Sequence, residues 1–193
     1  MTSDDEDAAL RQRRCAKIVI FIVVGAILQI AIILAFVLIF MRFHNPKLRL
    51  SSVTVESLTV NSSASSPSFA MKLNAQVSVK NSNFGTFKFG NTTATISYRA
   101  AAIGTAVIPK ARANPRSTKK MNVTVTVASS GKAVSSSSLR SDVGSGKLTL
   151  TSEATLTGMI HLFLVFKKKR SARMNCTMVV NTKSRAIENL QCK

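Results

Sequence analysis

The feature that most constrains this chain is an uninterrupted apolar segment near its N-terminus. Residues 18–41 read IVIFIVVGAILQIAIILAFVLIFM and contain no charged side chain. About 20 apolar residues are enough to cross a bilayer as a helix, and this segment is apolar on every side apart from Gln29. A cleaved signal peptide has an apolar stretch of about 7–15 residues before a small-residue cleavage site. Because Met41-Arg42-Phe43-His44 follows instead, we predict an uncleaved transmembrane helix.

Charge is distributed unevenly on the two sides of this helix. Residues 1–17 carry four acidic and four basic side chains, so the formal net charge of +19 lies entirely in the residues that follow. We predict a cytosolic tail (1–17), a transmembrane helix (18–41), a juxtamembrane segment with a first strand (42–68) and a β domain (69–193). A domain this basic favours polyanions, such as nucleic acid, anionic lipid headgroups or acidic polysaccharide.

The orientation of the helix follows from modification motifs more than from flanking charge. Basic residues flank both of its ends almost equally, so the positive-inside rule barely discriminates. Sequons for N-glycosylation all follow the helix, at Asn61, Asn91, Asn122 and Asn175. We therefore predict a cytosolic N-terminus and a lumenal or extracellular domain. Cys15 stands among basic residues beside the membrane, a position typical of lipidation by palmitate; an unmodified thiol is the alternative.

Alternating apolar and polar residues predict strands through the rest of the chain. Apolar residues alternate within 73–79, 94–98 and 121–127, and the longest alternation runs from Leu148 to Phe166. Gly158 interrupts it and predicts a bend or bulge. Beyond Gly158 the second face also becomes apolar, at Met159, Phe163 and Val165; burial within a sandwich and a lipid- or partner-binding surface are the two interpretations. About seven short strands predict an all-β sandwich.

The two cysteines of the domain fit opposite strands of a C-terminal hairpin. If its turn centres on Ser184, Cys176 faces Cys192 across the pair. Opposed residues have Cα atoms about 4.5–5.5 Å apart, within the range for a disulfide. Such a bridge requires an oxidising compartment, whereas two unpaired thiols are the alternative. A zinc site is disfavoured because two thiols supply only half of the usual four ligands.

The densest cluster of cations comprises Lys167, Lys168, Lys169, Arg170 and Arg173. It lies between the long alternating segment and the terminal hairpin, so we predict an exposed loop that binds a polyanion. A solvated turn without a ligand is the alternative.

No pattern in the domain indicates catalysis or a cofactor. Its histidines are His44, beside the membrane, and His161, within a predicted strand, and no paired carboxylates, phosphate-binding glycine loop or nucleophile elbow is found. We predict no catalytic residue, cofactor or metal. Nucleic acid is disfavoured as a partner by the membrane helix, the paired cysteines and the lack of an aromatic stacking pattern.

The order of these parts resembles the plant late embryogenesis abundant group 2 family, in its membrane-anchored, harpin-induced-like (NHL) branch. The resemblance covers residues 10–193 and includes Asn81-Ser82-Asn83-Phe84-Gly85, in which Ser82 stands where the family has proline. It implies a seven-stranded, fibronectin-like β-sandwich at the plasma membrane or an endomembrane. It also implies roles in stress response, pathogen defence and attachment of membrane to cell wall.

Two functions remain as hypotheses. The first is a non-enzymatic membrane-surface module for adhesion or signalling, which binds acidic cell-wall polysaccharide. The alternative is a lipid-binding or lipid-transfer module, with a groove between the sheets near residues 159–166. A homo-oligomer is also possible, since Gln29 is able to hydrogen-bond across a helix dimer.

Overall fold

The computed structural model describes residues 3–40, 42–63, 67–129, 136–162 and 166–193. These residues form two compact units, Met1–Arg42 and Phe43–Lys193. The helices are α1 (Ser3–Phe40) and α2 (Ser136–Ser145). The strands are β1 (Lys47–Asn61), β2 (Ser68–Lys80), β3 (Thr86–Phe89), β4 (Thr92–Tyr98), β5 (Ala101–Ile108), β6 (Ala111–Ala113), β7 (Thr118–Ala128), β8 (Lys147–Leu162), β9 (Phe166–Asn181) and β10 (Ala186–Cys192).

The first unit consists mainly of α1, which includes most of the predicted tail as well as the predicted span. Its segment Arg13–Ile39 is long and apolar enough to cross a membrane, and none of the side chains in its most apolar part is buried. A core helix of a soluble protein would bury one face. The helix therefore fits a single-pass membrane anchor or a signal sequence.

The second unit is a sandwich of two antiparallel sheets. The smaller sheet has the order β1-β2-β7. In the larger sheet, β9 lies between β10 and β8. The other edge of β8 pairs with β4 along one part of its length and with β3 along another. Residues 150–154 of β8 pair with β4, and residues 158–161 pair with β3. β5 and β6 complete the sheet beside β4 and β3. The predicted all-β class is confirmed, although the described residues form ten strands, more than the seven that the resemblance implies.

The core lies between the two sheets and is almost filled. Leu73 and Val125 of the smaller sheet and Ile96 and Met178 of the larger one line a cavity of about 30 Å³. A cavity that binds benzene measures about 150 Å³. The cavity in this core has no room for an acyl chain. The groove predicted near residues 159–166 includes positions outside the described residues, so lipid binding there stays a prediction.

The predicted continuous strand from Leu148 to Phe166 is wrong. β8 ends at Leu162, and the chain returns as β9 from Phe166, with Leu162 paired to Phe166. Because Leu162 pairs with Phe166 and both have even numbers, the even-numbered residues of β8 and β9 lie on the same face of the sheet. The alternation of apolar residues therefore continues across the reversal of the chain and does not reveal it. The predicted apolar residues Phe163 and Val165 lie outside the described residues.

Gly158 marks a close approach between strands, and the predicted bend or bulge is absent. The β8–β9 register continues through Gly158 without a shift. A Cβ atom added there would contact the carbonyl oxygen of Lys88 and lie 2.7 Å from two ring carbons of Phe87. Glycine is needed because β3 packs directly against the backbone of β8 at this point.

Replacing Gly158 with alanine should therefore destabilise the domain. Forcing a methyl group into a packed core costs about 1–3 kcal/mol, and urea unfolding of the Gly158→Ala variant measures this cost. Gly90→Ala is the matched control, since a Cβ atom at Gly90 would have no neighbour within 4 Å. Equal unfolding midpoints for the two variants would contradict the close packing of β3 on β8.

The loop between β2 and β3 fixes the point at which the chain enters the sandwich. Asn81 is fully buried, and its Nδ2 donates to the carbonyl oxygens of Gly85 and Asn114, at 2.8 and 3.0 Å. The side-chain amide of Asn83 pairs with the backbone of His44. It accepts from the His44 amide at 2.6 Å and donates to the His44 carbonyl oxygen at 2.8 Å. These buried amides are satisfied by the backbone, so both chain segments are held in place.

Candidate functional site

The predicted cationic loop is a strand, which corrects its expected structure. Residues 167–170 lie in β9 and pair with residues 158–161 of β8. Side chains alternate between the two faces of a strand. Lys167, Lys169 and Arg173 therefore lie on the outward face of the larger sheet, whereas Lys168 and Arg170 lie on the opposite face with the buried Ile160. The five predicted residues thus lie on two faces of β9, and polyanion binding by them stays a prediction.

Strand pairing brings two further cations to the outward face. Arg112 of β6 pairs with Lys88 of β3, Lys88 pairs with Met159 of β8, and Met159 pairs with Lys169 of β9. Neighbouring strands lie about 4.8 Å apart, so this row crosses four strands over about 14 Å. We use the name cationic face for Lys88, Arg112, Lys167, Lys169 and Arg173, all of which are exposed.

His161 lies in the next row of the same face. It pairs with Thr86 on one side and with Lys167 on the other. Partial burial lowers the pKa of His161 below its usual 6.5, and the positive charges of Lys88 and Lys167 lower it further. The pKa of the imidazole is therefore lowered by the same positive charges that would attract an anion to this face.

The shifted pKa of His161 predicts a pH dependence of stability. Because the folded state binds the proton less tightly than the unfolded state, stability falls as the pH drops below about 6.5 and through the lowered pKa. In the His161→Gln variant this contribution is absent. Thermal unfolding between about pH 7 and pH 5 should show a smaller loss of stability for the variant than for the parent chain, and equal losses would contradict the assignment.

The cations of this face have no acidic partner in the structure. The domain contains four acidic residues. Three form ion pairs elsewhere, Glu56 with Lys72, Asp142 with Arg99 and Glu188 with Lys147. The fourth, Glu153, accepts a hydrogen bond from Asn175. Like charges directly opposite in a sheet, such as Lys88 and Arg112, are destabilising, and a bound polyanion would relieve this repulsion.

Positive charge is also concentrated at one end of the sandwich. We use the name entry end for the end of the sandwich at which the chain arrives at Phe43. Lys47 and Lys80 pair there at the ends of β1 and β2, and the other strand ends contribute Lys119, Lys120 and residues 167–170. Glu153 lies eight residues before His161 along β8, a separation of about 26 Å. The entry end is thus cationic, and the acidic residues lie toward the other end.

The disulfide predicted from the hairpin is present. Cys176 and Cys192 are joined, with Cα atoms 4.1 Å apart. The predicted register holds from Asn189 to Cys192, and a bulge between Ile187 and Asn189 shifts it by one residue near the turn. This bond fits an oxidising compartment.

The predicted modification sites are accessible. The sequon residues Asn61, Asn91, Asn122 and Asn175 are all exposed, and Cys15 is an exposed free cysteine. Asn175 donates to Glu153 through Nδ2, the atom that a glycan would modify, whereas Asn91 accepts from the Lys110 amide through Oδ1, which a glycan leaves in place. Use of the sequons and lipidation of Cys15 stay predictions.

Sequence reasoning missed Lys88 and Arg112. Both are isolated cations in short strands, separated by more than 50 residues from Lys167, and only the strand order brings them together. A metal centre finds no support in the described ranges, where no group of three or more His, Cys, Asp or Glu side chains is placed to hold an ion.

Comparison with known proteins gives consistent matches. A family model described as late embryogenesis abundant protein matches residues 76–178. A late embryogenesis abundant protein of Arabidopsis thaliana is 30% identical over 156 residues, which cover 80% of this chain and 72% of that protein.

Solved structures give weaker similarities, which carry no argument. The solution structure of an Arabidopsis thaliana protein has a TM-score of 0.42 at 18% identity, covering 70% of this chain and 82% of that one. That of a further late embryogenesis abundant protein has a TM-score of 0.33 at 12% identity, covering 70% and 71%. The assignment depends on the sequence matches, which cover more than half of the chain. The chain belongs to the late embryogenesis abundant group 2 family.

Proposed function

We propose that this protein is a non-enzymatic, single-pass membrane protein that attaches a plant membrane to acidic cell-wall polysaccharide in stress or defence responses. In this proposal α1 is the anchor, the N-terminus is cytosolic and the sandwich lies outside the cytosol, at the plasma membrane or an endomembrane. The chain would belong to the harpin-induced-like branch of its family. A homo-oligomer formed through α1 stays a prediction.

The observation that carries the proposal is the cationic face. It presents five exposed cations on β3, β6 and β9, and no ion pair of the described residues involves them. A flat outward sheet face with repeated positive charge is suited to an extended polymer with repeated carboxylates. The disulfide supports a position outside the cytosol, because such bonds persist in oxidising compartments.

Retention on immobilised polygalacturonate tests the proposal. The full-length protein in detergent micelles should be retained at about 0.1 M salt and released at about 1 M, over which the Debye length falls from about 10 Å to about 3 Å. A neutral galactan column is the control and should not retain it. Equal behaviour on the two columns would contradict polysaccharide binding through charge.

A further inference from the structure

The entry end exposes aromatic side chains beside cations. Phe84 is 39% exposed and Phe166 is 45% exposed. The guanidinium of Arg116 lies 4.6 Å from the centre of the Phe84 ring. Lys168, two residues from Phe166, is exposed as well. This combination differs from the cationic face, which is defined by its exposed cations.

Hydrogen bonds connect these residues to the point of chain entry. The Arg116 amide donates to the carbonyl oxygen of Asn83 at 3.0 Å, and Asn83 in turn holds His44. From β9, Nη2 of Arg170 donates to the carbonyl oxygen of Phe43 at 3.2 Å. We use the name entry tip for these residues of the entry end: Phe84 and Arg116, beside the loop that holds His44, and Phe166, Lys168 and Arg170 of β9.

The charge of the entry tip is not neutralised within the domain. Arg170 is half-buried, and its Nε has no hydrogen-bond partner among the described residues. The four acidic residues of the domain have their partners elsewhere. A partly buried cation without a counter-ion is costly, so an external anion at this end would stabilise the domain.

We propose that the entry tip docks on the phosphate-bearing headgroups of the bilayer that α1 spans. The proposal rests on the membrane anchoring in the proposed function and is independent of polysaccharide binding. Phe43 follows Phe40, the last residue of α1, by three positions. In sequence, the entry end therefore begins directly after the predicted span.

The chemistry of the entry tip fits this surface. Lys and Arg form charge-assisted hydrogen bonds with phosphate, and phenylalanine inserts at the boundary between headgroups and acyl chains. A polysaccharide offers anions without an apolar layer, so the exposed phenylalanines favour lipid.

A single tryptophan reports on this contact, because the chain contains none. Phe166→Trp is introduced into the full-length protein, which is reconstituted in nanodiscs of phosphatidylcholine and phosphatidylglycerol with a nitroxide on a fraction of the headgroups. Val107→Trp is the control, since Val107 is 60% exposed on β5, away from the entry tip. We expect stronger quenching at position 166 than at position 107.

Two further variants separate the entry tip from the cationic face. Adding Arg116→Gln and Lys168→Gln should reduce quenching of the tryptophan at position 166 to the level of the control, whereas Lys88→Gln and Arg112→Gln should leave it unchanged.

Equal quenching at positions 166 and 107, with the protein resistant to carbonate extraction, would overturn the docking proposal. If carbonate instead extracts the protein, α1 is not an integral membrane anchor, and both proposals fail. An emission shift with oligogalacturonate and no quenching by lipid would make the entry tip a polysaccharide site and also overturn the proposal.

Discussion

Reversing two charges of the cationic face should abolish retention on polygalacturonate at moderate salt. Lys88 and Lys169 are exposed and lie in one row across the larger sheet. Each exposed contact is worth up to about 1 kcal/mol, and replacement by glutamate adds repulsion of similar size. At about 0.5 kcal/mol for each lost attraction and each new repulsion, Lys88→Glu with Lys169→Glu weakens binding by about 2 kcal/mol, or about 30-fold. Elution by a salt gradient measures the effect.

A variant with the same change in net charge is the control. Arg140→Glu with Lys183→Glu alters exposed residues on α2 and in the β9–β10 turn, away from the cationic face. If binding depends on this face, the control elutes near the parent protein. Equal weakening by both pairs would mean that total charge, rather than the cationic face, governs retention.

Removing the disulfide should produce the largest loss of stability. Cys176 and Cys192 are 16 residues apart in sequence, and a loop of about 15 residues corresponds to about 3 kcal/mol in the chain-entropy account. For a domain of about 150 residues this lowers Tm by about 6–12 °C. The Cys176→Ala, Cys192→Ala variant tests this in thermal unfolding. β10 should separate first, because it lies at an edge of the sheet and none of its side chains is fully buried.

Reduction of the parent chain should lower Tm by a similar amount, since it opens the same loop. Cys15→Ala is the matched control, because this cysteine is exposed and free. A Cys176→Ala, Cys192→Ala variant that unfolds at the same temperature as the parent would contradict a stabilising role for the bond.

The features predicted correctly are those that depend on the local alternation of apolar and polar residues or on the position of a single turn. Alternation identified the buried faces of β2 and β7, on which Leu73 and Val125 lie, because each strand keeps one face toward the core. The disulfide was predictable because hairpin pairing relates two residues through their distance from one turn. Near the turn the observed register differs by one residue from the predicted one, and the bulge at Glu188 restores the predicted register before the bridge.

The features that were missed depend on which strands become neighbours. Lys88 and Arg112 join Lys169 only through the order β6-β3-β8-β9, which no local pattern contains. Gly158 looked like a bend because the sequence does not show that Phe87 packs on it. In β1, two register shifts change the phase of the alternation near Leu50 and Val55, so a regular period of two does not describe this strand.

Topology in sealed vesicles tests the central claim, that the sandwich lies on the oxidising side of a membrane. Sealed vesicles that contain the full-length protein are treated with external protease and, separately, with a membrane-permeant thiol alkylator; glycosidase is added to the protein after lysis. We expect a protease-protected domain, a mobility shift with glycosidase and alkylation of Cys15 but not of Cys176 or Cys192. A digested domain, with both of these cysteines alkylated and no shift, would contradict the account.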